Sequence, residues 1–225
     1  RIEAELRFMR AFIYFDLVKR YKEVIIYDED LSKIAKDKPL NTEAEGWDFI
    51  QKDLEFAGAN LPDRAASKGR LNKGAAWAFL SRAMLYAERY DKAKASVQAI
   101  IDSGKYGYID DYAAIFKDLN NREVIWGSGY ASGLLTHSFD QKYSQPGDIC
   151  TNDGKGSGYA GPTQEFVDSY DYADGTPFDV NDAANRYVTN ENASARDPRL
   201  AASIMWNGSI WKGRALECYD GGVDQ

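Results

Sequence analysis

The stretch from Asn72 to Gly104 leaves this chain little freedom in its fold. Asn72 suits the cap of a helix running from Lys73 to about Arg89, Asp91 suits the cap of a second, and Gly104 supplies a left-handed stop. With only a residue or two between them, the two helices must pack antiparallel. Ser81 and Ala93 are small enough for the backbones to approach closely. Against the tetratricopeptide pattern, Trp77, Leu80, Ser81, Ala93 and Val97 take expected positions, while Met84 stands where Tyr is common and Ile100 where Ala is common.

The rest of the N-terminal half has the same helical texture. In residues 3–21, Leu6, Met9, Ile13, Leu17 and Arg20 fall at helical spacing, and Phe8, Phe12 and Phe15 widen the apolar face. A helix this apolar is expected to be buried on most sides. Val24 to Tyr27 looks like a short strand, followed by a charged loop ending at Pro39. Thr42 and Glu45 form a capping box for a helix through Trp47, Ile50, Leu54 and Ala57, which stops before Pro62. Segments 3–21 and 42–60 are expected to make another helix pair with a long insertion.

After residue 105 the periodicity fades. A short helix over 111–116 and a short strand over 123–126 precede an irregular stretch rich in Gly, Ser and Tyr over 127–161. Loops that long in a compact protein are usually functional or mobile. Thr163 opens a helix through Phe166, Val167 and Tyr170, and Asp197-Pro198 opens another through Leu200 and Ile204. Residues 178–195 and 206–225 read as loop. The expected fold is mainly α: tetratricopeptide-like hairpins over 1–105, and over 106–225 a long irregular, loop-rich region with short strands, forming the ligand-binding region of the same domain.

Composition narrows the function. The net charge of the 225 residues is −7, and no segment is strongly basic, so nucleic acid is not the expected partner. No apolar run approaches the length of a membrane span. The sequence begins inside a helical pattern at Arg1 and reads as a piece of something longer, with any targeting signal outside it. Cys150 and Cys218 fit no metal or redox spacing, and whether they pair stays open.

Catalytic patterns are weak. His137 is the one histidine, too few for a zinc centre, and no nucleophile elbow accompanies it. Gly154-Lys155-Gly156-Ser157-Gly158 lacks the full spacing of a phosphate loop and is read as a turn. Asp110-Asp111 and the group Asp168, Asp171 and Asp174 are candidate acid pairs for glycoside hydrolysis, but are better read as solvated helix and turn acids. The stretch from Asp171 to Asp179 has too few regularly spaced ligands for an EF-hand. No metal, cofactor or catalytic residue is expected.

In chain order, AELRFMRAFIYFDLVKRY, DFIQKDLEFAGANLP, GRLNKGAAWAFLSRAMLYAERY with AIIDSGKY, YAAIF with NREVIW, GPTQEFVDSYDYADGTPFD and ARDPRLAASIMWNG resemble successive signatures of the SusD/RagB family. Each is weak alone, but six in order over nearly all of the chain are specific. The resemblance implies a non-catalytic lipoprotein on the outward face of a bacterial outer membrane. Such a protein caps a SusC-like TonB-dependent transporter and hands it oligosaccharides, or peptides in the RagB branch. The lipid anchor, the first part of the family's chain and its C-terminal helices lie outside this sequence, so contact with the membrane is expected only through that missing N-terminal anchor.

A sugar offers an apolar ring face and a fringe of hydroxyls, and tryptophan and tyrosine suit both. Tyr130, His137, Phe139, Tyr143, Tyr159, Trp206, Trp211 and Tyr219 are the loop aromatics. The expected ligand contacts are Trp211 first, then Trp206 and Tyr159, with Tyr143, Tyr130 and the polar Asn207. Trp47, Trp77 and Trp126 are assigned to the core, and Arg196, Asp197 and Arg199 to holding their loop. Peptide capture, a helical-repeat adaptor and a glycosidase are the competing readings. They predict an extended groove, a large apolar patch on the helices, and two facing carboxyls respectively.

Overall fold

A computed structural model describes residues 1–30, 38–65, 67, 69–118, 120–127, 129–130, 133–134, 136–150 and 154–225. The fold is mainly α, as expected, and divides into two compact units, Arg1–Gly129 and Tyr130–Gln225.

The first unit holds four helices: α1 (Ile2–Tyr21), α2 (Glu43–Asn60), α3 (Lys73–Tyr86) and α4 (Tyr90–Asp102). Each packs on the next in chain order. The starts of α2 and α3 are set by their sequence. Thr42 and Glu45 satisfy each other's backbone N–H groups, and Asn72 accepts from the N–H of Ala75 at 2.8 Å. Asp91 does not cap α4. The cap position is Arg89, and Asp91 sits in the first turn, where its charge still favours the helix N-terminus. The hairpin link Ala87-Glu88-Arg89 turns tightly through a positive φ of 58° at Glu88.

α1 buries only part of the expected face, Phe8 and Phe15. Ala4, Phe8, Ala11, Tyr14, Phe15 and Val18 face the core, while Ile2, Leu6, Met9, Ile13 and Leu17 are exposed. Both stripes have helical spacing, so periodicity does not distinguish them. What distinguishes them is packing. The small Ala4 and Ala11 let neighbouring helices close in, and Phe8 and Phe15 then fill the space, with ring centroids 5.7 and 5.1 Å from that of Phe79.

The two expected short strands do not form. Val24 makes one isolated bridge, to Asn41. At 123–126 the Asn121 side chain accepts from the N–H groups of Glu123 and Val124 and curls the backbone into a turn. Residues 31–37 of the charged loop before Pro39 lie outside the described residues. Among the core tryptophans, Trp47 is buried, and Trp77 is half-buried with its indole over Gly58. Trp126 lies at the surface, edge-on to Phe8 at 5.5 Å.

The second unit is built from short elements: α5 (Phe139–Tyr143), α6 (Gln164–Asp168), α7 (Pro198–Ser203) and a hairpin of β1 (Ile210–Trp211) with β2 (Arg214–Ala215). Thr163 and Asp197 cap α6 and α7 as expected. The hairpin lies in a stretch expected to be loop. Its two-residue turn has positive φ at both Lys212 (47°) and Gly213 (82°), the combination that matches the twist of paired strands. Val167, Leu200 and Ile204 form a small core, with Tyr170, Val188 and Trp206 packed against it. Cys150 is buried, Cys218 is exposed, and both are free thiols.

Candidate functional site

The hairpin turn decides which side chains meet. It pairs Trp211 with Arg214 across the strands, and both reach the same carboxylate. The Trp211 indole N–H donates to Asp148 Oδ2 at 2.7 Å, and Arg214 Nη2 donates to Asp148 Oδ1 at 2.8 Å. Arg214 also grips Asp224 with two hydrogen bonds of 2.6 Å, and Asp224 accepts from the backbone N–H groups of Gly147 and Glu217. Lys212, at the tip, donates to Asp140 Oδ1 at 3.0 Å and so ties the hairpin to α5.

These contacts shift the acids. The Arg214 guanidinium holds the Asp224 carboxyl at a pKa of about 2, and Lys212 holds that of Asp140 below its usual range. A depressed carboxyl pKa stabilises the folded state above the unfolded value near 4, and that stabilisation fades as pH falls toward 2. Thermal unfolding of the second unit is therefore expected to be flat from about pH 7 to 5 and to drop between about pH 4 and 2. Asp224→Asn should lower stability at neutral pH and shrink the acid-induced drop. An unchanged pH profile in that variant would contradict the role given to Asp224.

Beside the hairpin lies a cavity of about 380 Å³. Trp206, Ile210 and Trp211 line it together with Ser203, Ser209 and Asn190, and no charged side chain does. Trp206 is half-buried, its indole N–H donating to Asn190 Oδ1 at 2.9 Å. Asn190 in turn donates to the Gly208 carbonyl at 2.9 Å. Two indoles on one uncharged cavity offer flat apolar faces beside hydroxyl and amide groups.

Other loop aromatics gather separately. Tyr130, His137, Phe139 and Tyr143 form a row with successive centroid separations of 4.8, 5.2 and 5.1 Å, and all four are exposed. Tyr159 is 74% exposed, and its backbone N–H bonds to the carbonyl of Lys142, next to Tyr143. Asn207 does not line the cavity; its side-chain oxygen accepts from the N–H of Cys218. The six expected contacts therefore split into a cavity pair, a ring row with Tyr159 tied beside it, and one outlying amide.

Sequence reasoning missed Asp148, Arg214, Asp224 and Asn190. Asp148 and Trp211 lie 63 residues apart, and no local signal joins them. The candidate acids are held by local bonds: Asp174 accepts from Thr176 in a turn, and Asp168, at the end of α6, from Gln164. Among the described residues, no group of three or more His, Cys, Asp or Glu is arranged to hold a metal ion.

Comparison with known proteins converges on one family. The SusD family model matches residues 122–224. A SusD-like protein of Bacteroides ovatus is 28% identical over 131 residues, covering 52% of this chain and 24% of its own length. The crystal structure of a SusD-like protein from Bacteroides fragilis is 32% identical, with a TM-score of 0.80 over 100% of this chain and 49% of that one. A SusD-like carbohydrate binding protein of the same species is 27% identical, with a TM-score of 0.81 over 95% of this chain and 42% of that one. The chain thus spans less than half the length of these relatives. In sequence over residues 122–224, and in fold over its whole length, it is similar to proteins of the SusD family.

Proposed function

We propose that this chain is part of a protein that captures oligosaccharide and passes it on unchanged. The observation that carries this reading is the pair of half-buried tryptophans, Trp206 and Trp211, on one cavity that no charged side chain lines. A sugar presents CH-lined ring faces to such indoles while its hydroxyls find Ser203, Ser209 and Asn190. The likeness to a carbohydrate binding protein of 27% identity supports the same ligand class. The exposed ring row, with Tyr159 beside it, offers a second aromatic surface for sugar units. Residues 1–105 serve as scaffold and 106–225 supply the ligand contacts. Delivery to a SusC-like TonB-dependent transporter at the outward face of the outer membrane rests on the likeness to that family.

Calorimetric titration with maltohexaose, cellohexaose, xylohexaose and an uncharged hexapeptide tests the reading. Saturable heat is expected with at least one sugar, and Trp211→Ala should weaken that binding about 30-fold, as truncating a central aromatic anchor does. Circular dichroism of the variant should match the wild type. Binding of the peptide alone moves the function to peptide capture. Unchanged sugar affinity in Trp211→Ala, or loss of fold, contradicts the site.

A further inference from the structure

We infer that Asp148 is a positioning residue that fixes the Trp211 indole in the orientation needed for stacking. The inference rests on the reading that Trp211 contacts the sugar. Trp211 stands at the end of a two-residue strand, next to a turn and beside Ile210, which is 73% exposed. Backbone pairing in so short a hairpin sets where its Cα lies but not how its ring is turned. A ring free to rotate must be immobilised when ligand binds, and that ordering is subtracted from affinity.

Asp148 removes this freedom beforehand. Its side chain is almost fully buried, and it accepts the indole N–H on one oxygen and Arg214 on the other. The cross-strand pair therefore grips both oxygens of one carboxylate. Asp148 is itself held, because Arg214 is fixed by Asp224, whose side chain is fully buried and anchored to two backbone N–H groups. The series Trp211, Asp148, Arg214, Asp224 ends on backbone, as rigid support of a contact residue should.

The hairpin does not need the indole bond to stay closed. Its strand pairing, the Arg214–Asp224 pair and the Lys212–Asp140 pair all persist without it. The bond at Trp211 Nε1 holds one edge of the ring, while Lys212 Nζ lies over it, 5.7 Å from its centroid.

Two measurements on the 15N-labelled protein test this. The first is the indole N–H resonance of Trp211, assigned by its absence in Trp211→Phe. In Asp148→Ala it should move upfield and broaden. The second is affinity for whichever of maltohexaose, cellohexaose or xylohexaose binds most tightly. Asp148→Ala should weaken binding about tenfold, and in a Trp211→Phe background it should weaken it no further, since the N–H it holds is gone.

An unmoved indole resonance in Asp148→Ala, or effects that multiply in the double variant, overturns the inference. Should Asp148→Ala not fold, Trp211→Phe alone decides: it keeps a ring and loses the bond, so affinity equal to wild type is the overturning result. Trp211→Ala separates the two levels. If it binds sugar as well as wild type, the sugar reading fails. If it loses binding while Asp148→Ala keeps it, only the positioning role fails. If none of the three sugars binds, the sugar reading fails and the resonance still decides whether Asp148 sets the ring.

Discussion

Replacing Arg196 with methionine is expected to destabilise the second unit by about 3–5 kcal/mol, more than any other single substitution there. Arg196 is 1% exposed and is the largest fully buried side chain among the described residues. Its guanidinium donates to the carbonyls of Val167 and Tyr170 at 2.8 Å each and to that of Asn185 at 3.1 Å, and it lies 3.5 Å from the centroid of the Phe178 ring. Three chain segments are thus tied by one planar group. Burial pushes the pKa of Arg196 down, because the charge is held by carbonyls and a ring face with no carboxylate in direct contact. Methionine keeps most of the volume but leaves the Tyr170 and Asn185 carbonyls without donors, each costing about 1–3 kcal/mol if it stays dry, while the Val167 carbonyl keeps the Tyr170 N–H at 3.3 Å. The apolar core of this unit is small, centred on Val167, Leu200 and Ile204, so little else offsets the loss. Arg196→Lys should be nearly as damaging, since an ammonium does not reproduce the fork geometry. Urea unfolding followed by tryptophan fluorescence measures this. A shift below about 1 kcal/mol for Arg196→Met would show that the guanidinium is not the tie described here.

The second large effect lies in the first unit. Arg10 on α1 clamps Asp53 on α2 through two hydrogen bonds, from Nε at 2.7 Å and from Nη2 at 2.8 Å, and Asp53 is 1% exposed. Arg10 also bonds Glu29 at 2.8 Å and lies 4.6 Å from the Phe49 ring centroid. Arg10→Met strands the buried Asp53 charge, with Arg7 Nη1 still 3.8 Å away, and is expected to cost about 3–4 kcal/mol. Asp53→Leu should cost less, because Arg10 is partly exposed and keeps both Glu29 and water. The double variant Arg10→Met/Asp53→Leu should recover much of the loss, since exchanging both partners for apolar groups removes the desolvation penalty with the attraction. Strictly additive losses would contradict this account of the clamp.

These two sites show where sequence reasoning runs out. The caps at Thr42, Asn72, Thr163 and Asp197 were legible because each is decided within four residues. The helical hairpin was legible because its two periods and its short link leave one arrangement. The buried face of α1 was not, because two apolar stripes share one spacing and only the shapes of α2 and α3 choose between them. The stretches at 24–27 and 123–126 are apolar enough for strands, yet find no partner of the required length: the first bonds to Asn41 and Tyr14, and the second is turned by Asn121. In the candidate site, the ring-bearing residues were visible by type. Their grouping was not, since it depends on Asp148 meeting a hairpin 63 residues further on. That hairpin itself carries only a Lys-Gly turn as its signal.

The most direct test of the central claim is a titration of the labelled protein with the same three hexasaccharides, following the five indole N–H resonances together. Capture on the cavity predicts saturable shifts at Trp206 and Trp211, little change at the buried Trp47, and sugar recovered at its original length after prolonged incubation. Shifts confined to tryptophans of the first unit, no shift at millimolar sugar, or sugar recovered in shorter pieces would contradict it.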